Sequence, residues 1–326
     1  MGPANLACTL ISKDSNPMTN DPNISAPAAP SAPSAPAAAL PQRGDFRCLD
    51  PLRVRWAEVD LQRIVFNGHY LQYFDTAVAA YWRLMAMPYH EAMHELQGDL
   101  FVRKATLEYE ASARYDDQLH IGMRLLKMGR SSMTLQACAF KGHRRLVHGE
   151  IVYVFADPVA QTSRPIPQVL RDWMEAFERG EPMVTVQCGS WSALEPLASP
   201  VRRTVFTEEQ GVPESIERDA LDAQARHAVA MNRLGQAVGA ARLVPQADGS
   251  GKVGRMAVLN TIRGAGVGRA MLEALITQAR GLGLQRIVLH AQSPVVDFYR
   301  RMGFEAIGPE FLEADIPHRL MQRSLD

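Results

Sequence analysis

Residues 60–75, DLQRIVFNGHYLQYFD, decide the fold of the first half of the chain. Asp60 ends a strand-like run, and an Asn-Gly turn leads from there into an apolar helical pattern. Along this helix large apolar side chains recur at spacings of four, four, three and four, which places them on one face: Tyr70, Phe74, Val78, Tyr81 and Met85. The stretch predicts one long buried helix whose N-terminus lies close to a carboxylate.

Strand-like runs follow this helix. They cover residues 101–109, 119–128, 132–140 and 145–156, and a short helix is predicted over residues 168–179. A single early helix followed by consecutive strands predicts an antiparallel sheet wrapped around that helix. A proline-rich break at residues 158–167 and the sequence Gly180-Glu181-Pro182 mark the end of this unit and a linker.

The second half has a different order of elements. Its predicted elements are a strand near 183–187, a helix around 200–210, strands at 227–231, 237–243 and 253–259, a helix over 267–280, a strand at 286–290, a helix over 294–301 and closing strands. No internal repeat relates the halves, so we expect two unrelated domains of the α+β class. We predict a disordered Ala/Pro/Ser-rich tail at residues 1–47, a first domain at 48–180 and a second at 181–326.

Bulk composition excludes several classes of protein. The 326 residues suit two domains, and 35 basic side chains balance 35 acidic ones, so neither nucleic acid nor an anionic membrane is an expected partner. No apolar run approaches the roughly 20 residues of a membrane helix, and no signal peptide is recognised, so we predict a cytoplasmic protein without integral membrane contact. The four cysteines form no C-x-x-C pair, so no metal site is expected.

Asp60 beside a helix N-terminus suggests thioester hydrolysis. That reaction needs a base or nucleophile and a donor to the developing oxyanion, and free amides at a helix start can supply the donor. The predicted pocket residues are Asn67, Gly68, His69 and Tyr70. We expect the nearby Glu58 to be solvated. The chain has no G-x-S-x-G motif, which disfavours a serine hydrolase.

The segment from Asp60 resembles the opening signature of the 4-hydroxybenzoyl-CoA and Tol-Pal-associated acyl-CoA thioesterases. The resemblance rests on Asp60, Ile64-Val65, Asn67 and residues 70–75, and it covers about residues 52–177. It implies a hotdog fold, a catalytic role for Asp60 and a site between two subunits, so we expect at least a homodimer. The chain departs from the family at residues 61–63, where an Ala-Gly-Gly type loop is usual, and at Asn67, where one branch has histidine.

A glycine-rich turn marks the second half. The sequence RGAGVGRA at residues 263–270 follows a strand-like run and precedes an amphipathic helix. Glycines let the backbone approach a ligand closely, and consecutive amides at a helix start suit a pyrophosphate. The glycines alternate, so the G-x-G-x-x-G spacing of a Rossmann site is not met, and no G-K-[ST] ending indicates a P-loop.

This turn resembles the acetyl-CoA loop of the GNAT acetyltransferases, and the resemblance extends over about residues 183–324. It implies that loop amides bind the CoA pyrophosphate, that the strand near Val258 pairs with the pantetheine arm, and that Tyr299 protonates the leaving thiolate. The implied cofactor-binding residues are Met256, Ala257, Val258, Arg263, Gly264, Ala265, Gly266, Val267, Gly268 and Arg269. Gln292 replaces the usual asparagine, and the general base is left open among Glu208, Glu209, His318 and water.

The leading hypothesis is a bifunctional enzyme with acyl-CoA and acetyl-CoA as substrates: an acyl-CoA thioesterase joined to an acetyltransferase that acts on an amine. Two alternatives stay open. In one alternative, the first half is an enoyl-CoA hydratase-like enzyme that uses Asp60 with His69. In the other, one domain is inactive and the protein is a non-catalytic acyl-CoA-binding sensor.

Overall fold

A computed structural model describes residues 40–325. The predicted tail at residues 1–47 lies outside the described residues as far as residue 39. Its last part packs on the first sheet, because the Phe46 side chain is 5% exposed and meets the Phe140 ring edge-on at 5.7 Å. This aromatic contact begins the described fold just before the first strand.

Five strands and three helices form the first half. The strands are β1 (Cys48–Arg53), β2 (Asp99–Tyr109), β3 (Gln118–Met128), β4 (Ser132–Lys141) and β5 (Arg144–Ala156), and the helices are α1 (Asn67–Leu84), α2 (Tyr89–Glu95) and α3 (Gln168–Arg179). The strands pair in the order β1-β3-β4-β5-β2, and every pairing is antiparallel. Strand β2 is therefore an edge of this sheet.

Helix α1 packs against the sheet through β1, β3 and β4. Phe74, Ala77 and Tyr81 on its inner face are fully buried, which contributes roughly 1.5–3 kcal/mol for each large side chain. The predicted antiparallel sheet around one long helix is confirmed. The 3.6-residue periodicity of the apolar side chains is the cause, since only one face of α1 can enter the core.

The second half has a seven-stranded sheet. Its elements are β6 (Val184–Gly189), α4 (Trp191–Arg202), α5 (Glu214–Glu217), β7 (Arg226–Asn232), β8 (Ala237–Pro245), β9 (Ser250–Val258), α6 (Val267–Gly281), β10 (Arg286–Gln292), α7 (Val296–Arg301), β11 (Glu305–Glu313) and β12 (Ile316–Ser324). The order is β11-β12-β10-β9-β8-β7-β6, and β9 and β10 are parallel while the other neighbours are antiparallel.

The helix predicted around residues 200–210 is wrong in its limits. Helix α4 begins at Trp191, passes through Pro196 and Pro200, and continues as a π-helix over Arg203–Glu209. Its apolar side chains, including Leu194 and Val201, are buried against β7 and β8. Tertiary packing therefore outweighs the helix-breaking tendency of the two prolines.

Helices cover both faces of the second sheet. Helix α6 packs on β6 to β9 from one side, and α4 packs on β7 to β9 from the other. The two halves of the chain touch where the Asn232 side chain donates to the Ala86 carbonyl at 3.4 Å and Gln236 donates to Glu95 at 2.6 Å. None of the helices between residues 40 and 325 is long and apolar enough to cross a membrane.

Candidate functional sites

Asp60 lies on a short hairpin in front of α1. The hairpin is closed by a bridge between Val59 and Val65 and by the Asp60 amide, which donates to the Ile64 carbonyl at 2.9 Å. The Asp60 Oδ1 atom accepts from the Gln62 amide at 2.8 Å. The other carboxylate oxygen accepts no hydrogen bond from residues 40–325, so it is available to a ligand.

The start of α1 is joined to this hairpin. The Phe66 amide donates to the Glu58 carbonyl, and the Val65 amide donates to the Ala113 carbonyl, both at 2.9 Å. Phe66 occupies the N-cap position, and its side chain supplies no cap to the first amides of the helix. The hairpin thus holds a carboxylate and an uncapped helix N-terminus in one rigid piece.

Of the four predicted pocket residues, three lie at the outer start of α1 and one lies in the core. Asn67 and Gly68 are exposed at the helix start, with the Asn67 carbonyl accepting from the Tyr109 hydroxyl at 3.1 Å. His69 Nδ1 is 2.7 Å from Gln72 Oε1, and no hydrogen bond joins this ring to Asp60. Tyr70 belongs to the core, since it is 2% exposed and its hydroxyl accepts from the Ala113 amide.

Glu58 is buried, so the expectation that it is solvated is wrong. Its side chain is 3% exposed and accepts from the Tyr73 hydroxyl and the Arg55 amide, both at 2.7 Å. Burial acts to raise the pKa of Glu58, but the hydrogen bonds from Arg55 and Tyr73 outweigh it, so the pKa is lowered. In the sequence, Tyr73 on the buried helix face is the feature that could have indicated a buried partner such as Glu58, because a buried tyrosine hydroxyl needs a hydrogen-bond partner.

A gap between β9 and β10 forms the second candidate site. The two parallel strands pair only from Ser250–Val253 to Arg286–Leu289, and β9 then continues to Val258 on the β8 side alone. A bulge lies at the divergence, where Ala240 faces Ala257 but Arg242 faces Gly254. Met256, Ala257 and Val258 therefore lie on a strand edge that has lost its β10 partner.

Buried charges hold the bulge in place. Arg255 has a φ of 51°, and its guanidinium donates to the Glu217 and Ile216 carbonyls at 2.9 and 2.7 Å. Behind it, three arginines meet three carboxylates in a cluster that includes Arg202, Arg242, Arg255, Glu217, Asp219 and Asp222. No local pattern in the sequence indicates this cluster, because its members come from four separated segments.

The glycine-rich turn follows β9. Gly264 and Gly266 have φ angles of 95° and 81°, a region that L side chains adopt only with strain. The first bond within α6 runs from the Ala270 amide to the Gly266 carbonyl at 3.0 Å, which leaves the amides before Ala270 at the free helix end. The arrangement can bind an anion through the amides of Val267, Gly268 and Arg269.

The two arginines of this turn differ. Arg263 forms a two-pronged ion pair with Glu209 at 2.6 and 2.7 Å and also donates to the Val258 carbonyl. Arg269 is exposed and forms no ion pair with any residue in the described part of the chain. Glu209 is thus engaged by Arg263, and Glu208 pairs with Arg203 at 3.2 Å.

Tyr299 lies on α7, against Phe298 and Phe304. It is 6% exposed, and its hydroxyl forms no hydrogen bond within residues 40–325. Burial raises the pKa of Tyr299 to about 12, so the hydroxyl stays protonated at neutral pH. A buried phenol without a fixed partner can give its proton to a group that comes within reach.

Comparison with known proteins separates the same two regions. Residues 194–325 match the family model for the acetyltransferase (GNAT) domain, and residues 62–148 match that for the thioesterase superfamily. The uncharacterised N-acetyltransferase YjcF of Bacillus subtilis is 39% identical over 124 residues, which are 38% of this chain and 87% of the relative.

Solved structures resemble either half. An acyl-CoA N-acyltransferase from Pseudomonas aeruginosa is 31% identical and covers 43% of this chain and 99% of its own, with a TM-score of 0.40. A gentisyl-coenzyme A thioesterase is 21% identical and covers 38% of this chain and 98% of its own, with a TM-score of 0.35.

Proposed function

We propose that this chain is a bifunctional enzyme. It belongs to the GNAT acetyltransferases through residues 194–325, and it carries a thioesterase-superfamily domain at residues 62–148. The first half hydrolyses an acyl-CoA to the free acid and CoA. The second half transfers an acetyl group from acetyl-CoA to an amine. One observation carries the proposal: an uncapped helix N-terminus adjoins the Asp60 hairpin in the first half and follows the unpaired edge of β9 in the second.

In the first half, Asp60 is the catalytic carboxylate. Its unbonded oxygen attacks the thioester or takes a proton from water, while amides at the start of α1 stabilise the oxyanion. Asn67 and Gly68 lie at that helix start, and His69 is turned toward Gln72. This favours hydrolysis over the hydratase alternative, which needs an aspartate and a histidine working together.

In the second half, the CoA pyrophosphate binds the amides of Val267, Gly268 and Arg269, and the Arg269 side chain adds positive charge. The pantetheine arm lies along the unpaired edge of β9 at Met256, Ala257 and Val258. Gly264 and Gly266 shape the turn, while Arg263 ties it to Glu209. Tyr299 gives its proton to the departing thiolate.

The first active site is completed by a second copy of the chain. Strand β2 is an edge of 11 residues whose side chains include exposed apolar groups: Phe101, Val102 and Tyr109 at 39, 57 and 51%. A long apolar edge favours pairing with another strand. Tyr109 on this edge also contacts Asn67 at the start of α1, which brings the dimer contact to the thioesterase site.

Two variants of the full chain test the assignment. Asp60→Asn should lower thiol release from a series of acyl-CoA lengths by roughly 1,000-fold, within the range of lost acid–base catalysis, without changing amine acetylation. Tyr299→Phe should lower acetyl transfer by about 10- to 100-fold and leave hydrolysis intact. Asp116→Asn and Tyr115→Phe, on exposed side chains, are the matched controls. If one variant abolished both activities, the two sites would not be independent.

A further inference from the structure

Strands β10, β12 and β11 present a row of side chains that the proposed mechanism has not used. Gln292 lies opposite His318, and His318 lies opposite Phe311, so all three point to one face of the sheet. Ile287, Leu289 and Ala291 point to the other face, into the core shared with Tyr299. The row therefore lies across the sheet from Tyr299.

His290 belongs to the same face as Gln292, two residues along β10. Its Nδ1 atom is 2.5 Å from Glu313 Oε2 on β11, and its side chain is 29% exposed. Because a carboxylate only accepts, this contact requires a proton on His290 Nδ1, so Nε2 is the ring nitrogen that can take up a proton from a substrate. Burial acts to raise the pKa of Glu313, but the hydrogen bond from His290 and the electrostatic effects of His290, Lys252 and His318 together outweigh it, so the pKa is lowered.

The end of the π-helix reaches this face. Gln292 Nε2 donates to Gln210 Oε1 at 3.1 Å, which links the last residue of β10 to the residue after the π-helix. His318 is 9% exposed, and its Nδ1 donates to the Ile316 carbonyl at 2.7 Å. The Phe311 ring lies against both His318 and His290. A polar face with an aromatic wall thus lies beside the gap between β9 and β10.

We propose that this face is the acceptor site of the acetyltransferase half, that His290 oriented by Glu313 is its general base, and that the acceptor is a primary amine carrying a second positive charge. The inference rests on the proposed acetyltransferase function and names the acceptor class and a catalytic residue for it. It replaces Glu208, Glu209 and His318 as candidate bases, since the two glutamates are paired with arginines and the His318 ring is buried.

Acetyl transfer requires a base and an acid, which here are His290 on one face of the sheet and Tyr299 on the other. The ammonium group first loses one proton to solvent, and the nitrogen lone pair then forms the C–N bond at the thioester carbonyl. The carbonyl pair moves to oxygen and returns as the C–S bond breaks, with sulfur taking the Tyr299 proton. The surplus N–H proton goes to His290 Nε2, and water returns it to the Tyr299 phenolate. Base and acid lie on opposite faces, so the amine enters from one side and the thiolate leaves toward the other.

The charge of the acceptor follows from strand β11 and the turn after it, which border this face. Residues 305–315 contain four acidic side chains and neither Lys nor Arg: Glu305, Glu310, Glu313 and Asp315. All four are exposed. A cation beyond the reacting amine is therefore attracted, and a carboxylate is repelled.

Three probes of equal reach test the acceptor class with the full-length protein. They are 1,4-diaminobutane, n-butylamine and 4-aminobutanoate, each assayed with acetyl-CoA. We expect the diamine to have the highest kcat/KM, by about 10-fold over butylamine, with a preference that weakens at high salt. An equal or better rate with 4-aminobutanoate would overturn the acceptor class. Binding of acetyl-CoA without acetylation of any probe would also overturn it, while absence of acetyl-CoA binding would instead contradict the proposed function.

Two variants test the base. His290→Gln should lower kcat for the diamine by about 100-fold, without changing acetyl-CoA affinity or thioester hydrolysis. Glu313→Gln, which keeps an acceptor for Nδ1–H, should cause a smaller fall. His318 of β12 and Lys252 of β9, which both act electrostatically on Glu313, remain in both variants.

The matched control is His148→Gln, which removes a histidine 3.2 Å from Glu110 in the other half. It should leave acetyl transfer unchanged. Retention of the wild-type kcat in His290→Gln would contradict the assignment of the base, and unchanged hydrolysis by the first half reports that the chain is folded.

Discussion

Helices α1 and α6 both begin without a side-chain cap, but the groups around the two starts differ. At α6 the glycine-rich turn carries its own cation, Arg269, and the adjoining gap lies inside a seven-stranded sheet. At α1 the carboxylate of Asp60 stands on a hairpin, and the helix start touches Tyr109 on the edge strand β2. One chain can therefore form the second site alone, whereas the first site adjoins an edge that a second chain can cover.

Among substitutions away from the catalytic side chains, the largest effect is expected at the edge strand. Val102→Lys places a charge on the exposed edge of β2 and should convert a dimer to monomers, with hydrolysis falling about 100-fold as the site loses its alignment. Acetyl transfer should persist. Light scattering and thiol-release assays measure the two effects.

Val159→Lys is the control, since Val159 is 92% exposed and lies in a loop. A monomeric wild-type chain with full hydrolysis would show that the first site, like the second, does not need another copy of the chain.

A smaller effect is expected at the start of α6. Gly266→Ala forces an alanine to a φ of 81°, which costs about 1–2 kcal/mol, so the KM for acetyl-CoA should rise about 10-fold. Steady-state kinetics with acetyl-CoA and an amine measure this change, and hydrolysis by the first half should not respond.

Gly281→Ala provides the contrast within the same helix. A Cβ there meets nothing within 4 Å, and the backbone needs no left-handed angle. We expect an unchanged KM and a gain in stability of about 0.5–1 kcal/mol. Equal effects of the two substitutions would mean that the glycine turn does not shape the binding site.

The smallest effect concerns the support of the Asp60 hairpin. The pKa of Glu58 is lowered in the folded protein, so its carboxylate contributes stability above the unfolded pKa of about 4.3 and loses it as the pH falls through the folded pKa. Glu58→Gln should therefore cost about 1 kcal/mol at pH 7, and this difference from wild type should shrink below about pH 4.

Urea unfolding at pH 7 and pH 3.5 measures this difference. Glu175→Gln, which removes an exposed carboxylate 3.8 Å from Arg179, is expected to leave stability nearly unchanged. A pH-independent difference for Glu58→Gln would show that packing, rather than ionisation, explains the burial of this side chain.

Local patterns were enough to predict most elements and the start of α6, whereas Asn67 and Gly68, predicted as a turn before the first helix, form the first turn of α1. The apolar row of α1 and the alternating glycines before α6 act over a few residues, so their structural consequences can be read along the chain. The helix predicted at residues 200–210 begins earlier in the structure, at Trp191, because burial of Leu194 and Val201 under a sheet stabilises α4. Burial depends on residues that are distant in sequence.

The sequence alone thus determined that two unrelated folds follow one another and that Asp60 and the glycine turn each precede a helix. Only the tertiary structure decided which charged groups meet: Glu58 with Tyr73, Arg263 with Glu209, and His290 with Glu313. The physical reason is range. Periodicity and turn chemistry act between near neighbours, whereas hydrogen bonds between side chains form wherever strand register brings partners within about 3 Å.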